Sequence, residues 1–201
     1  MSFSGCNTGT REPKRILQVG DPELRRKASP VDPADIANEE IQSIIDDLIC
    51  TMRAANGAGL AATQIGVALQ ICVIEVGDNP RYPYKPPIPL TILINPRWTN
   101  VTDELFVNNE GCLSVPGMRG DVERFTEIRV QALDRHAEAM DFRVVGLSAG
   151  TYQHECDHLD GVVFVDRMTD HTTLSTWENF EVFRREEYLG RVADLVGRYG
   201  S

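Results

Sequence analysis

Residues 153–161 read QHECDHLDG, and they hold His154 and His158 four positions apart. In an α-helix that spacing stacks two side chains on one face. Two imidazoles then converge on one spot, the arrangement that binds a divalent metal. Glu155 follows the first histidine and is placed to hold a water on such an ion. The motif is short, so a chance pairing of two histidines beside a solvated Glu155 and Asp157 is the alternative.

A catalytic metal site needs three protein ligands and an open position. The sixth residue past His158 is Phe164, which cannot ligate, so the HExxHxxGxxH pattern is excluded although Gly161 is present. Glu178 lies in a helical segment twenty residues past His158, the place of the third ligand in thermolysin-type peptidases. Cys112 is the other candidate and would give a Cys/His/His set. Cys156 falls about 200° around the helix from His154, on the wrong face for a closed Cys2His2 site. Spacing leaves Cys112 and Glu178 both open.

The formal charge of −10 over 201 residues disfavours general binding to phosphate backbones. No apolar run approaches the roughly 20 residues of a membrane span. The opening MSFSGCNTGTREPKR has no apolar signal region. The five cysteines are odd in number and widely spaced, which argues against a disulfide framework and for a reducing compartment. The expectation is a cytoplasmic protein that binds neither nucleic acid nor membrane directly.

Residues 1–13 are polar and are expected to form a flexible tail, leaving 14–201 as a single catalytic domain. Ile41, Ile44, Ile45, Leu48, Ile49 and Met52 repeat at helical spacing and predict an amphipathic N-terminal helix. Asp32-Pro33 or Asn38 would start it and Gly57 would end it. Cys50 lies off the stripe as a partly buried thiol. Residues 69–76 and 91–95 are β-type runs, the second stopped by Pro96. The segment 77–90 holds five prolines and reads as a stiff loop. Residues 126–134 and 139–145 alternate and predict a hairpin with His136 on its turn. From Thr173 the chain is helical, with Tyr188, Val192, Leu195, Val196 and Tyr199 on one stripe and Gly190 as a kink point. The fold class is α+β: mixed or antiparallel strands around a central HExxH helix, with an amphipathic helix before and a helix after.

Three stretches, GAGLAATQ (57–64), EGCLS (110–114) and QHECDH (153–158), occur in that order. Together they resemble the peptide deformylase family, whose pattern GxGLAAxQ, EGCxS and QHExDH they match without a mismatch. DPELR at 21–25 and LINP at 93–96 add to the resemblance, which runs from about Ile16 to Met168. It implies a metal-dependent hydrolase that removes formate from the N-terminal formyl-methionine of nascent polypeptides, with metal-bound water attacking the formyl carbonyl. By the same resemblance Cys112, His154 and His158 bind one divalent ion per chain, Fe(2+) in vivo with zinc, nickel or cobalt as substitutes. Glu155 takes the water proton and passes it to the leaving amine, while Gln64 and the backbone N–H of Leu113 meet the oxyanion. Ala58 and Gly59 pair with the substrate main chain. Gly111, Arg119, Leu147 and Gly150 are further substrate contacts, and a surface position is the alternative for Arg119. Glu110 and Arg124 brace the metal loop. Ser148, Gly150 and Thr151 stand where the family usually carries bulkier apolar residues, so a wider or more polar methionine pocket is expected. Some family members associate transiently with the ribosome through a basic C-terminal helix. From Thr172 onward four arginines face five acidic residues, which does not support that docking.

Overall fold

The computed structural model describes residues 11–77 and 84–200. Residues 1–10, with Cys6, lie outside the described residues. The end of the expected tail is tied down, because Arg11 donates to the Ser43 carbonyl at 2.9 Å and to Asp47.

Helix α1 spans Glu39–Ala54 and starts at Asn38, while Asp32 caps a separate single turn, Pro33–Asp35. The left-handed residue after α1 is Asn56, not Gly57, and the Gly57 N–H bonds back to the Met52 carbonyl. Cys50 is fully buried rather than partly so. Seven strands follow: β1 (Gly59–Ala61), β2 (Ile71–Val76), β3 (Ile88–Asn100), β4 (Leu105–Cys112), β5 (Val115–Phe125), β6 (Glu127–Leu133) and β7 (Ala139–Val145). Then come α2 (Gly146–Leu159), α3 (Phe164–Arg167), a short β8 (Ser175–Thr176), α4 (Trp177–Phe183) and α5 (Arg185–Tyr199).

The strands form two antiparallel sheets, β1-β2-β3-β6-β7 and β4-β5-β8. Helices α1 and α2 cover opposite faces of the five-stranded sheet. Ile71 and Val73 of β2 join Ile45 and Leu48 of α1, whereas Cys72 and Ile74 join Ala149 and Tyr152 of α2. Both faces of β2 are thus dry from Ile71 to Ile74, which is why those four residues are continuously apolar instead of alternating, and the part-exposed Glu75 pairs with Arg53. The β6–β7 hairpin matches the sequence expectation, with Ile128, Val130 and Ala132 buried and His136 exposed.

Three expectations are corrected. Pro96 does not stop β3; the register shifts between Ile94 and Arg97, and that irregularity accommodates a residue without an N–H. The hairpin β4–β5, paired from Leu105↔Phe125 to Cys112↔Val115, was not expected at all. The C-terminal helical segment breaks at Arg184, and α5 passes through Gly190.

Candidate active site

Helix α2 is enclosed by the large sheet, the β4–β5 hairpin and α5, so all its residues except His154 are buried. Its exposed-type residues therefore need partners. Close packing places them: a Cβ added at Gly150 would meet Phe106 at 3.1 Å and Asn108 at 3.2 Å, and one at Gly59 would overlap the Glu155 carboxylate. Small residues at these points let β1 and β4 approach the helix.

The turn between β4 and β5 brings Cys112 to the histidines. One donor atom each from Cys112, His154 and His158 lies within 4.8 Å of the others. Cys112 Sγ is 3.2 Å from His158 Nε2. His154 Nδ1 donates to Glu110 Oε2 at 2.8 Å, so a metal held here would take its Nε2. Burial by itself would raise the Cys112 thiol, but His158 and His154 hold it well below the ordinary thiol value. A thiolate with two imidazoles suits a divalent ion such as zinc or ferrous iron and leaves a coordination position open. Glu178, the rival third ligand, is exposed on α4 and stands outside this cluster.

Glu155 lies next to the cluster and is buried, and its Oε2 has no hydrogen-bond partner among the described residues. Burial pushes its carboxyl above the usual range, and His154 and His158 pull it partly back. Gln64 is fixed at both ends of its amide: Oε1 accepts from the Ala61 N–H at 2.8 Å, and Nε2 donates to Ser114 Oγ at 3.0 Å and lies 3.6 Å from Cys112 Sγ.

Behind the cluster Arg124 holds Glu110 by two bonds of 2.8 and 2.9 Å and reaches Asp157 at 2.7 Å. Burial would raise Glu110, yet Arg124 and His154 keep it well below the usual carboxylate range. Asn108 donates to Glu110 Oε1 at 3.1 Å and accepts from the Tyr188 hydroxyl at 2.9 Å, so α5 is connected to the same network. Arg124→Met removes the cation shared by two buried carboxylates, leaving Glu110 with His154 and Asn108, and Asp157 with Arg167. Because those partners remain, it is expected to lower unfolding free energy by about 3 kcal/mol, the low end for breaking a buried pair, read as a lower urea midpoint at unchanged m. A midpoint equal to the parent's would remove Arg124 from this role.

A cavity opens over the cluster. Ala58, Gly59, Gly111, Leu113, Arg119 and Gly150 line it together with Gln64, Cys112, His154 and Glu155. Leu147 does not; it is buried against Phe180, Tyr188 and Val192. Arg119 is not a surface residue: it is buried, donates to the Asn109 side-chain oxygen at 2.6 Å and lies over the rings of Trp177 and Phe180. Gly57, Lys85, Asn108, Asn109, Glu110 and Thr151 complete the lining, and of these Lys85, Asn108 and Asn109 had no sequence signal.

The family model for polypeptide deformylase matches residues 13–173. The chain belongs to the peptide deformylase family. It is 45% identical over 157 residues to peptide deformylase 1 of Nitrosomonas europaea, covering 78% of this chain and 88% of the relative. It is 48% identical over 158 residues to peptide deformylase 1 of Prochlorococcus marinus, covering 78% and 81%. Among solved structures, the Met-Ala-Ser-bound class I type b peptide deformylase of Acinetobacter baumannii superposes with a TM-score of 0.76 at 31% identity, over 79% of this chain and all of that one. The Thermotoga maritima peptide deformylase gives 0.70 at 34% identity, over 80% of this chain and all of that one. The chain is accordingly a deformylase, a hydrolase of protein biosynthesis that acts on formylated nascent peptides. Among the described residues no helix is long and apolar enough to cross a membrane.

Proposed function

We propose that Cys112, His154 and His158 hold one divalent ion, Fe(2+) in vivo with zinc, nickel or cobalt able to replace it, and that Glu155 carries the proton in the removal of formate from formyl-methionyl peptides. The observation that supports this most is the approach of Cys112, at the end of β4, to the two histidines of α2 beside a buried carboxylate. When bound, the ion supplies Lewis acidity, which brings the pKa of water toward neutrality and polarises a carbonyl oxygen.

Everything else falls to the chain's own side chains. Glu155 accepts the proton lost by water as its oxygen adds to the formyl carbon. The carbonyl oxygen gains charge, and the Gln64 amide and the Leu113 N–H donate to it. As the C–N bond breaks, Glu155 gives its proton to the amine, and formate and a free N-terminus leave. Strand β1 is the edge of its sheet, so Ala58 and Gly59 can pair with an extended peptide main chain there. A Met-Ala-Ser tripeptide is the kind of product such an edge would release, and that peptide is bound in the Acinetobacter baumannii relative. Glu110 and Arg124 orient His154. Gly111, Arg119 and Gly150 face the substrate, and residues 14–201 act as one catalytic domain. We place the enzyme in the cytoplasm, without direct contact to nucleic acid or membrane, and with no ribosome docking through its C-terminal helix.

Formate release from formyl-Met-Ala-Ser, measured anaerobically, tests the oxyanion assignment. Gln64→Ala is expected to lower kcat by about 10²–10³ with a small change in KM. Activity within a few-fold of the parent would refute the role.

A further inference from the structure

Ser114 closes the EGCLS stretch and is fully buried. Its hydroxyl oxygen accepts from Gln64 Nε2 at 3.0 Å. A glutamine amide carries two N–H donors and one oxygen. The Gln64 oxygen is taken by the Ala61 N–H at 2.8 Å, which sets the orientation of the amide. One N–H goes to Ser114, and the second is left on the side of Cys112, whose sulfur is 3.6 Å from the nitrogen. One short segment ties both main chains. The Leu17 N–H donates to the Gln64 carbonyl at 2.8 Å, and the Val19 N–H donates to the Ser114 carbonyl at 2.7 Å. The Ser114 hydroxyl therefore aims a side chain whose backbone is held independently of it.

We propose that Ser114 is a positioning residue for the oxyanion step: it holds one N–H of the Gln64 amide so that the other is presented to the charge developing on the formyl oxygen. The inference rests on the oxyanion reading of Gln64. Its physical ground is a competition for donors. As a metal ligand Cys112 is a thiolate, a charged acceptor that draws N–H groups more strongly than a hydroxyl does. Its sulfur already receives the Ser114 N–H at 3.4 Å and lies within reach of the Gln64 amide. Without the Ser114 oxygen the amide nitrogen loses its neutral anchor, and its donors turn to the sulfur instead of to substrate. Ser114 is not among the described residues that line the cavity, so it acts through Gln64. Ser114→Ala removes a single oxygen and leaves the Leu17 and Val19 bonds in place.

A double-mutant cycle of Ser114→Ala and Gln64→Ala tests this, with formate release from formyl-Met-Ala-Ser measured anaerobically. Ser114→Ala is expected to lower kcat by about tenfold, with KM within about twofold of the parent and bound metal unchanged. Once Gln64 is replaced there is no amide left to aim, and adding Ser114→Ala should change kcat by less than about twofold. A serine with a purely structural role would not couple to Gln64 in this way. The proposal is overturned if Ser114→Ala alone stays within about twofold of the parent, or if it costs the same factor in both backgrounds. If Gln64→Ala itself turns over within a few-fold of the parent, the oxyanion reading fails and the proposal falls with it. Should Ser114→Ala not fold, the zinc-loaded parent decides. Its Gln64 side-chain amide protons, identified by their absence from the spectrum of Gln64→Ala, are expected to exchange slowly with solvent, and exchange as fast as that of exposed glutamines overturns the proposal.

Discussion

Glu155→Gln is expected to cut formate release from formyl-Met-Ala-Ser by about 10²–10⁴-fold, with bound metal unchanged. The substitution is close to isosteric, and the site has little freedom to rearrange around it. Glu155 is 4% exposed, and Gly59 lies so near its carboxylate that a single added methyl would overlap it. The amide of glutamine can fill that space but cannot accept a proton. Its neighbours on α2, His154 and His158, keep their own positions: Glu110 holds His154, and Thr63 Oγ1 donates to the His158 carbonyl at 3.0 Å. The loss should thus fall on kcat, with KM and metal content near the parent's. A variant that turns over within a few-fold of the parent would show that the proton travels by another group. A variant that loses its metal as well would make Glu155 a structural residue.

The elements most legible in the sequence are those whose burial follows a simple period. Helix α1 shows its stripe because only one face meets the sheet, and the β6–β7 hairpin alternates because its outer face is wet. Strand β4 hides for the opposite reason. Asn108, Asn109 and Glu110 read as loop residues, yet all three are buried, and their partners lie far away in sequence. Tyr188 is 80 residues from Asn108, Arg119 is 10 from Asn109, and Arg124 is 14 from Glu110. No local pattern reports such long-range satisfaction of polar groups. Lys85 escaped notice because it comes from a proline-rich segment with no period, although its Thr151 partner stood at a position already marked as unusual. The ligand set shows the same division. Two candidate ligands on one helix were legible from their spacing, whereas spacing could not choose between Cys112 and Glu178; the resemblance pointed to Cys112, and it is the β4–β5 turn that brings it to the histidines.

Cys112→Ala is the sharpest test of that choice. Cys112 is the one candidate ligand that does not come from α2, and the β4–β5 hairpin brings it to the two histidines. With it gone, two imidazoles on adjacent turns of α2 remain, one fewer protein ligand than catalytic sites use. Metal content after dialysis is expected to drop from about one ion per chain to near zero, and formate release by about 10³-fold or more, equivalent to some 4 kcal/mol of barrier. Folding should survive. Cys112 is only half-buried, and the Ser114 N–H contact to its sulfur, at 3.4 Å, is long. Near-parental circular dichroism and thermal midpoint would separate loss of the ion from loss of the fold. Glu178→Ala is the paired control, and its side chain lies in solvent on α4. It is expected to keep both metal and activity. If Glu178→Ala were the variant to lose them while Cys112→Ala kept them, the third ligand would pass to the C-terminal helices, and the site would have to be read as a peptidase's.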